Sequence, residues 1–194
     1  MSKEKVLPAA LALAVSIAWA SSAFGQTTLT ESASYPATCT NALTCNQPAS
    51  VTDARNFSTD YTYDAVHGGL LTKMQPAPVP GAPRPLAVYA YQQRYAYVKG
   101  PAGTLQQAAS PVWVPVSETL CQTAAGSSAP VCDSATPSMI TTYEYGANGT
   151  ANNLFLKGKV VTADGISLRT CYGHDDFGNV LFVTTPGAGQ GACQ

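Results

Sequence analysis

Alternation of side chains with a period of two is the pattern that most restricts the fold of this chain. It is clearest in residues 86–99, where four tyrosines would share one side of an extended strand: Tyr89, Tyr91, Tyr95 and Tyr97. A pattern of this length predicts one long β-strand, or two strands that meet at Gln92-Gln93. Beyond the N-terminal region, no segment has the sustained period of 3.6 residues that is typical of a helix. The sequence therefore predicts an all-β fold.

Glycine and proline separate the predicted strands. The 194 residues include 16 Gly and 14 Pro, a composition that favours a turn-rich β protein. Five prolines in residues 75–85 exclude an interior strand, because proline has no N–H for the ladder, and predict an extended surface crossing. Asp164-Gly165 predicts a tight hairpin. The further predicted strands are residues 60–64, 70–74, 111–120, 139–145, 154–164, 166–175 and 180–185. Pro111 and Pro115 would place the 111–120 strand at a sheet edge or make it irregular.

The first 25 residues have the pattern of a signal peptide. Lys3 and Lys5 precede an apolar stretch, residues 6–19, that is too short to span a bilayer comfortably. Small residues then predict cleavage after Gly25, with cleavage after Ala23 as the alternative. An uncleaved anchor is disfavoured, because no longer apolar segment follows.

The signal peptide divides the chain into three parts. Residues 1–25 direct export, residues 26–38 form a Ser- and Thr-rich flexible lead-in, and residues 39–194 form the β region. No second hydrophobic segment is present, so no membrane span is expected after cleavage. The expected location is outside the cell, at its surface or in the periplasm.

The six cysteines all follow the cleavage site: Cys39, Cys45, Cys121, Cys132, Cys171 and Cys193. An even number in an exported chain indicates disulfides, although six cysteines allow about 15 connectivities. We predict three local pairs, 39–45, 121–132 and 171–193, because closing a short loop requires little ordering of the chain. A zinc site is disfavoured, since the cysteine spacings do not fit and the chain has only two histidines.

One short pattern occurs four times. Tyr61-Thr62-Tyr63-Asp64 is followed by Gly68-Gly69 and an aliphatic run, and Tyr172-Gly173-His174-Asp175 is followed by Gly178 and Val180. Tyr143-Glu144-Tyr145-Gly146 and Tyr89-Ala90-Tyr91-Gln92 are looser copies. In the shared pattern two aromatic residues share a face, Asp starts a turn, Gly accepts its unusual backbone angles, and an aliphatic strand returns. Such a unit cannot bury its own face, so the copies are expected to stack.

These units resemble the YD-repeat of the RHS family, most closely at residues 61–72 and 171–186. The resemblance extends over roughly residues 39–194 and is to exported bacterial members. It implies antiparallel strand–turn–strand repeats in an extended twisted sheet or partial shell. It also implies further RHS repeats or a toxin as partners. The chain departs from the family plan because it has few, degenerate repeats and no motif that would precede a toxin. Toxin delivery is therefore not carried over, and the chain resembles a short or truncated member.

No catalytic or metal site is predicted. Gly173-His174-Asp175-Asp176 could suggest a metal, but neighbouring residues of a strand point to opposite faces, and the repeat explains each position. His67 is predicted to be solvated in a turn. No nucleophile elbow or paired-carboxylate motif is present, and the cysteines are expected to be oxidised. We expect no enzyme activity and no cofactor.

The tyrosine-rich strand is the best candidate for binding. Tyr89, Tyr91, Tyr95, Tyr97 and Trp113 could contact a surface glycan or a protein partner, or could instead form an aromatic ladder buried in the repeat sheet. A net charge of −1 without a basic patch disfavours nucleic acid. The sequence thus favours an exported structural or interaction protein, with a glycan- or protein-binding module as the alternative. A repeat segment with open sheet edges is also expected to self-associate or to be poorly stable alone.

Overall fold

The computed structural model describes residues 30–175, 177–188 and 191–193, and the described residues form strands and loops without a helix. The predicted all-β fold is therefore confirmed, whereas the predicted signal peptide lies outside the described residues. The strands are β1 Ser32–Ser34, β2 Ser50–Thr52, β3 Ser58–Tyr63, β4 Leu70–Met74, β5 Pro85–Arg94, β6 Tyr97–Lys99, β7 Leu105–Gln107, β8 Val112–Gln122, β9 Met139–Tyr145, β10 Leu156–Ala163, β11 Ile166–His174, β12 Val180–Val183 and β13 Gly187–Ala188. No helix in this part of the chain is long and apolar enough to cross a membrane.

One large antiparallel sheet holds most of the strands. Its order is β1-β2-β3-β4-β5-β8-β9-β10-β11-β12, with β13 also paired to β11. Two exceptions interrupt the pairing of strands that are neighbours in sequence: the small β6-β7 hairpin is inserted between β5 and β8, and β13 pairs with β11. From β1 to β12 the sheet therefore grows strand by strand along one direction.

The sheet has very little core. Among the described residues other than glycine, four hydrophobic residues (Met74, Leu86, Ala87, Cys121) and four polar residues (Thr72, Thr123, Thr141, Asn153) are buried. Most globular domains bury the apolar face of a sheet against a second layer. Here so few residues are buried that both faces of the sheet remain largely accessible.

Several predicted elements are confirmed. The strands at residues 70–74 and 139–145 have the predicted bounds. β10 and β11 form the predicted hairpin at Asp164-Gly165, where both residues have positive φ (50° and 75°). Two successive positive φ angles define the type I′ turn that matches the twist of a hairpin.

The proline-rich segment closes a hairpin and is not a crossing, because β4 and β5 are adjacent antiparallel strands. Arg84 holds the base of this loop. Its Nε donates to the Gln75 carbonyl (2.7 Å), and its Nη1 lies 2.7 Å from Oδ2 of Asp60. The prolines therefore lie in a surface loop whose ends are fixed by one arginine.

The predicted long strand of residues 86–99 ends earlier than expected. β5 ends at Arg94, so the strand is interrupted at Tyr95-Ala96 and not at Gln92-Gln93. The fully buried side chain of Asn153 occupies the break, where its Oδ1 accepts from the Tyr97 N–H (3.0 Å) and its Nδ2 donates to the Tyr95 carbonyl (2.8 Å). The Asn153 amide makes the backbone hydrogen bonds that a neighbouring strand would otherwise make, and β6 begins directly after this point.

The prediction of an edge position for the strand after Pro111 is wrong, because β8 lies between β5 and β9. The alternative, an irregular strand, is what the structure contains. Ala90 pairs with Ser117 but Tyr91 pairs with Pro115, so Val116 is an extra, bulged residue. A bulge tolerates the missing N–H of Pro115 inside the sheet.

Part of the segment predicted as a flexible lead-in, residues 26–38, forms a strand. Ser32–Ser34 forms β1 and pairs with β2, and residues 26–29 lie outside the described residues. The Ser-Ala-Ser segment carries no apolar pattern, and it pairs through the backbone ladder and a hydrogen bond from Ser50 Oγ to Ser34 Oγ (3.2 Å). Sequence periodicity could not have found it.

The three predicted local disulfides are confirmed: Cys39–Cys45, Cys121–Cys132 and Cys171–Cys193. No cysteine is left free. Disulfides of this kind are typical of chains that fold in an oxidising compartment. One of the three, Cys121–Cys132, packs in the small cluster formed by Met74, Leu86 and Val88.

Candidate functional site

The four aromatic pairs found in the sequence lie on every second strand of the large sheet. They occupy β3, β5, β9 and β11, in the order Tyr61/Tyr63, Tyr89/Tyr91, Tyr143/Tyr145 and Tyr172/His174. Alternate strands of an antiparallel sheet run in the same direction, so the four pairs are oriented alike. Two strand spacings separate successive pairs by about 10 Å across the sheet.

Strand register places one tyrosine of each pair on the same face. Tyr61 lies opposite Lys73, which lies opposite Ala87, two residues before Tyr89. Residues that are directly opposite, or two apart on one strand, share a face.

The same register continues to the other side of the sheet. Tyr89 lies opposite Glu118, which lies opposite Thr141, two residues before Tyr143. Tyr143 lies opposite Lys159, which lies opposite Thr170, two residues before Tyr172. We call Tyr61, Tyr89, Tyr143 and Tyr172 the tyrosine row.

Charged residues occupy the strands between these tyrosines: Lys73, Glu118 and Lys159. Glu118 lies between Tyr89 and Tyr143. Burial, together with the Glu118 charge and a hydrogen bond to it, raises the pKa of Tyr89 to about 12. The same causes, in the same order, raise the pKa of Tyr143. Glu118 therefore lies where its charge acts on two tyrosines of the row.

The tyrosine row is only partly covered. None of its four members is buried, and none is fully exposed. In the described part of the chain no second layer of strands lies over them. The structure thus differs from a buried aromatic ladder and leaves this face able to contact another molecule.

The sequence-predicted binding residues are separated by the structure. Tyr89 and Tyr91 lie on the face of the row, but Tyr95 lies at the break after β5 and is 36% exposed. Tyr97 lies in the small second sheet, where its hydroxyl donates to Oε1 of Gln107 (2.9 Å). The prediction that all four tyrosines share one face is wrong, because it assumed an unbroken strand.

The rings of Trp113 and Tyr91 both contact the ring of His67. The His67 ring stacks on Trp113 with centroids 4.4 Å apart and lies 4.7 Å from the Tyr91 ring. Its side chain is only 8% exposed, so the prediction of a solvated His67 is wrong. Nδ1 accepts from the Gly69 N–H (3.0 Å), and Nε2 lies 3.5 Å from Oδ1 of Asp64. These contacts assign His67 to packing of the turn.

The two clearest repeat copies form similar Asp turns, of which the one at Asp64 is one residue longer than the one at Asp175. In both, Asp Oδ1 accepts a hydrogen bond from the N–H two residues ahead, at 2.7 Å for Asp64 and 2.9 Å for Asp175. Gly68 and Gly178 have positive φ (72° and 89°) and donate their N–H to the carbonyl of that Asp. Hydrogen bonds to each carboxylate lower the pKa of both aspartates. The predicted roles of Asp and Gly are therefore present at both sites.

A third turn of this type joins β2 and β3 and has no recognisable repeat sequence. Oδ1 of Asp53 accepts from the N–H groups of Arg55 and Phe57 (both 2.9 Å), and Asn56 takes the positive φ (64°). The repeat pattern did not identify this turn, because the pattern requires Tyr before the Asp and Gly after it. The two looser copies have the repeat-like sequence but do not form this turn, since Gln92 lies inside β5 and Gly146 opens a longer loop.

The His174 region shows no metal site among the residues that the structure describes, where no three His, Cys, Asp or Glu side chains converge. His174 packs against Phe155, with ring centroids 5.3 Å apart. Both oxygens of Asp175 accept hydrogen bonds within its own turn. Asp176 lies outside the described residues.

Sequence reasoning missed several residues of the face: Tyr61, Tyr143 and Tyr172 as members of one row, and Lys73, Glu118 and Lys159 between them. The repeat pointed to equivalent strands, but the strand order and the register of the sheet are needed to place their aromatic residues on a common face. A comparison of the chain with protein-family models, curated proteins and solved structures finds no match.

Proposed function

We propose that this chain is an exported scaffold without catalytic activity, built as a segment of an RHS-type β-repeat. The observation that supports the proposal is the placement of its four aromatic pairs on alternate strands of one open sheet. Two of the pairs end in similar turns, in each of which an Asp carboxylate accepts from the N–H two residues ahead. Such regularity is typical of a structure that is extended by adding equivalent units.

The thin core supports the same role. With so few buried residues, each strand is stabilised mainly by its two neighbours and by local disulfides. Within the described residues, the end strands β1 and β12 each pair on one side only, so each has an edge that can accept a further strand. Further β-repeats that extend the sheet are the partners that this scaffold would use.

Hydrogen exchange of the exported, oxidised protein tests the scaffold proposal. In a one-dimensional array, protection is expected to be highest in β5, β8 and β9 and to fall in steps toward β1 and toward β12. Mass spectrometry of peptides from each strand measures this gradient. Exchange of all strands in one cooperative event would indicate a conventional domain and would contradict the proposal.

The open tyrosine face favours a second function, the binding of a linear glycan or an extended protein segment. Tyr89→Ala and Tyr143→Ala are expected to weaken binding by about tenfold, because each removes a stacking surface of roughly 1 kcal/mol or more. Tyr95→Ala, away from the row, is the matched control. Glycan arrays followed by titration calorimetry provide the measurement. Equal binding by the row variants and the control would exclude this function, provided that circular dichroism shows them folded.

A further inference from the structure

The last strand of the large sheet has an unusual edge. All four residues of β12 remain 53–66% exposed, although the strand is paired with β11. Phe177, in the preceding turn, is 90% exposed. No other described strand pairs with β12. An exposed apolar strand at a sheet edge is a surface that favours pairing with another strand.

Charge does not protect this edge. Residues 177–188 contain no Lys, Arg, Asp or Glu, whereas edge strands are commonly protected by charged side chains. The opposite edge differs, because β1 is a short Ser-Ala-Ser strand preceded by Glu31. The two ends of the sheet are therefore not equivalent, and the apolar one is β12.

Two features limit how much of this edge can pair. Gly173 lies opposite Phe182 and His174 opposite Val180, so Leu181 is a bulged residue. Pro186 interrupts the edge after Thr185 and has no N–H. Between these limits, Val183 is the central position.

The backbone of Val183 points away from the sheet. Thr184 donates its N–H to the Cys171 carbonyl (2.9 Å), toward β11. Along a strand the hydrogen-bonding groups of successive residues point to alternate sides. The N–H and C=O of Val183 therefore face outward, where a second strand would accept and donate.

We propose that β12 pairs with β12 of a second copy of this chain, antiparallel and about a two-fold axis at Val183. In an antiparallel sheet a two-fold axis of this kind places a residue opposite itself, so that the two Val183 residues exchange both of their hydrogen bonds. A second copy fits because the strand is apolar and uncharged, so that self-pairing brings no like charges together. The proposal adds a homotypic contact to the scaffold and does not depend on the exchange gradient that tests the scaffold itself.

The contact is expected to be weak. One short strand pair buries much less than the roughly 1,600 Å² of a standard stable interface. We therefore expect a dimer with a dissociation constant of the order of 10–1000 µM.

Sedimentation equilibrium of the oxidised protein, over a concentration series that covers this range, tests the proposal. The measurement compares the wild type with two variants that carry opposite charges at residue 183. Val183→Lys and Val183→Glu are each expected to weaken dimerisation at least about tenfold, because like charges would face each other across the axis. An equimolar mixture of the two variants is expected to restore it, because opposite charges then meet. Only pairing of Val183 with its own copy predicts this restoration.

Ala33→Lys, on the opposite edge, is the matched control and is expected to leave dimerisation unchanged. A monomer at all concentrations would overturn the proposal. Dimerisation that is lost in Ala33→Lys but kept in the Val183 variants would assign the contact to β1, and would overturn it too. Because Val183 is exposed, circular dichroism is expected to show both of its variants folded.

Discussion

Replacing Asn153 with leucine is expected to lower the free energy of unfolding by about 3 kcal/mol. Asn153 is fully buried, and its amide satisfies both the Tyr97 N–H and the Tyr95 carbonyl at the break between β5 and β6. Leucine fills a similar volume but leaves these two backbone groups without partners, and each such group costs roughly 1–3 kcal/mol. Urea denaturation followed by Trp113 fluorescence measures the loss.

Two further substitutions make the interpretation specific. Asn153→Asp keeps the acceptor for Tyr97 but places a buried carboxylate against the Tyr95 carbonyl, so its destabilisation is expected to shrink as the pH falls and the carboxylate is protonated. Asn148→Ala removes only a long contact of 3.5 Å to Nδ2 of Asn153, and is expected to change stability by less than about 0.5 kcal/mol. Equal stability of Asn153→Leu and the wild type would refute the role of this amide.

Asn153 also shows which kind of feature the sequence could not predict. The alternating pattern of residues 86–99 predicted the strand but could not predict its break, because Asn153 is distant in sequence and acts through its side chain. Sequence patterns correctly predicted the features that form within a short stretch of chain: the Asp164-Gly165 hairpin, the Asp64 and Asp175 turns, and the three short disulfide loops. These features depend on backbone angles and loop closure within a few residues.

The candidate face required a different kind of information. The four aromatic pairs were recognised as a repeat, but only strand order shows that they occupy alternate strands of one sheet. Glu118 is invisible to the repeat because it lies on a returning strand, and it becomes relevant through its position opposite Tyr89. Likewise, the burial of His67 follows from Trp113, a residue of another strand. In a sheet with a thin core, such contacts between strands determine which residues form a site.

Removing the Cys121–Cys132 disulfide by a double substitution to alanine is expected to reduce the free energy of unfolding by about 4 kcal/mol. Opening a loop of this length contributes about 3 kcal/mol through the entropy of the unfolded chain. Cys121 is also buried against Met74 and Leu86, so truncation of its side chain removes part of the small core, which adds about 1 kcal/mol. Guanidinium denaturation of both proteins under non-reducing conditions measures the difference.

The Cys39–Cys45 pair, in which Cys39 is exposed and Cys45 is half-buried, provides the matched control. Its loop is shorter and its side chains lie outside the core cluster, so the corresponding double alanine variant is expected to lose about 2 kcal/mol. A difference of about 1 kcal/mol between the two variants is what the two loop lengths alone predict, and it would show that Cys121–Cys132 acts through loop closure alone. A difference of about 2 kcal/mol would show that the disulfide also replaces hydrophobic packing, which a single layer of strands cannot supply through a second layer.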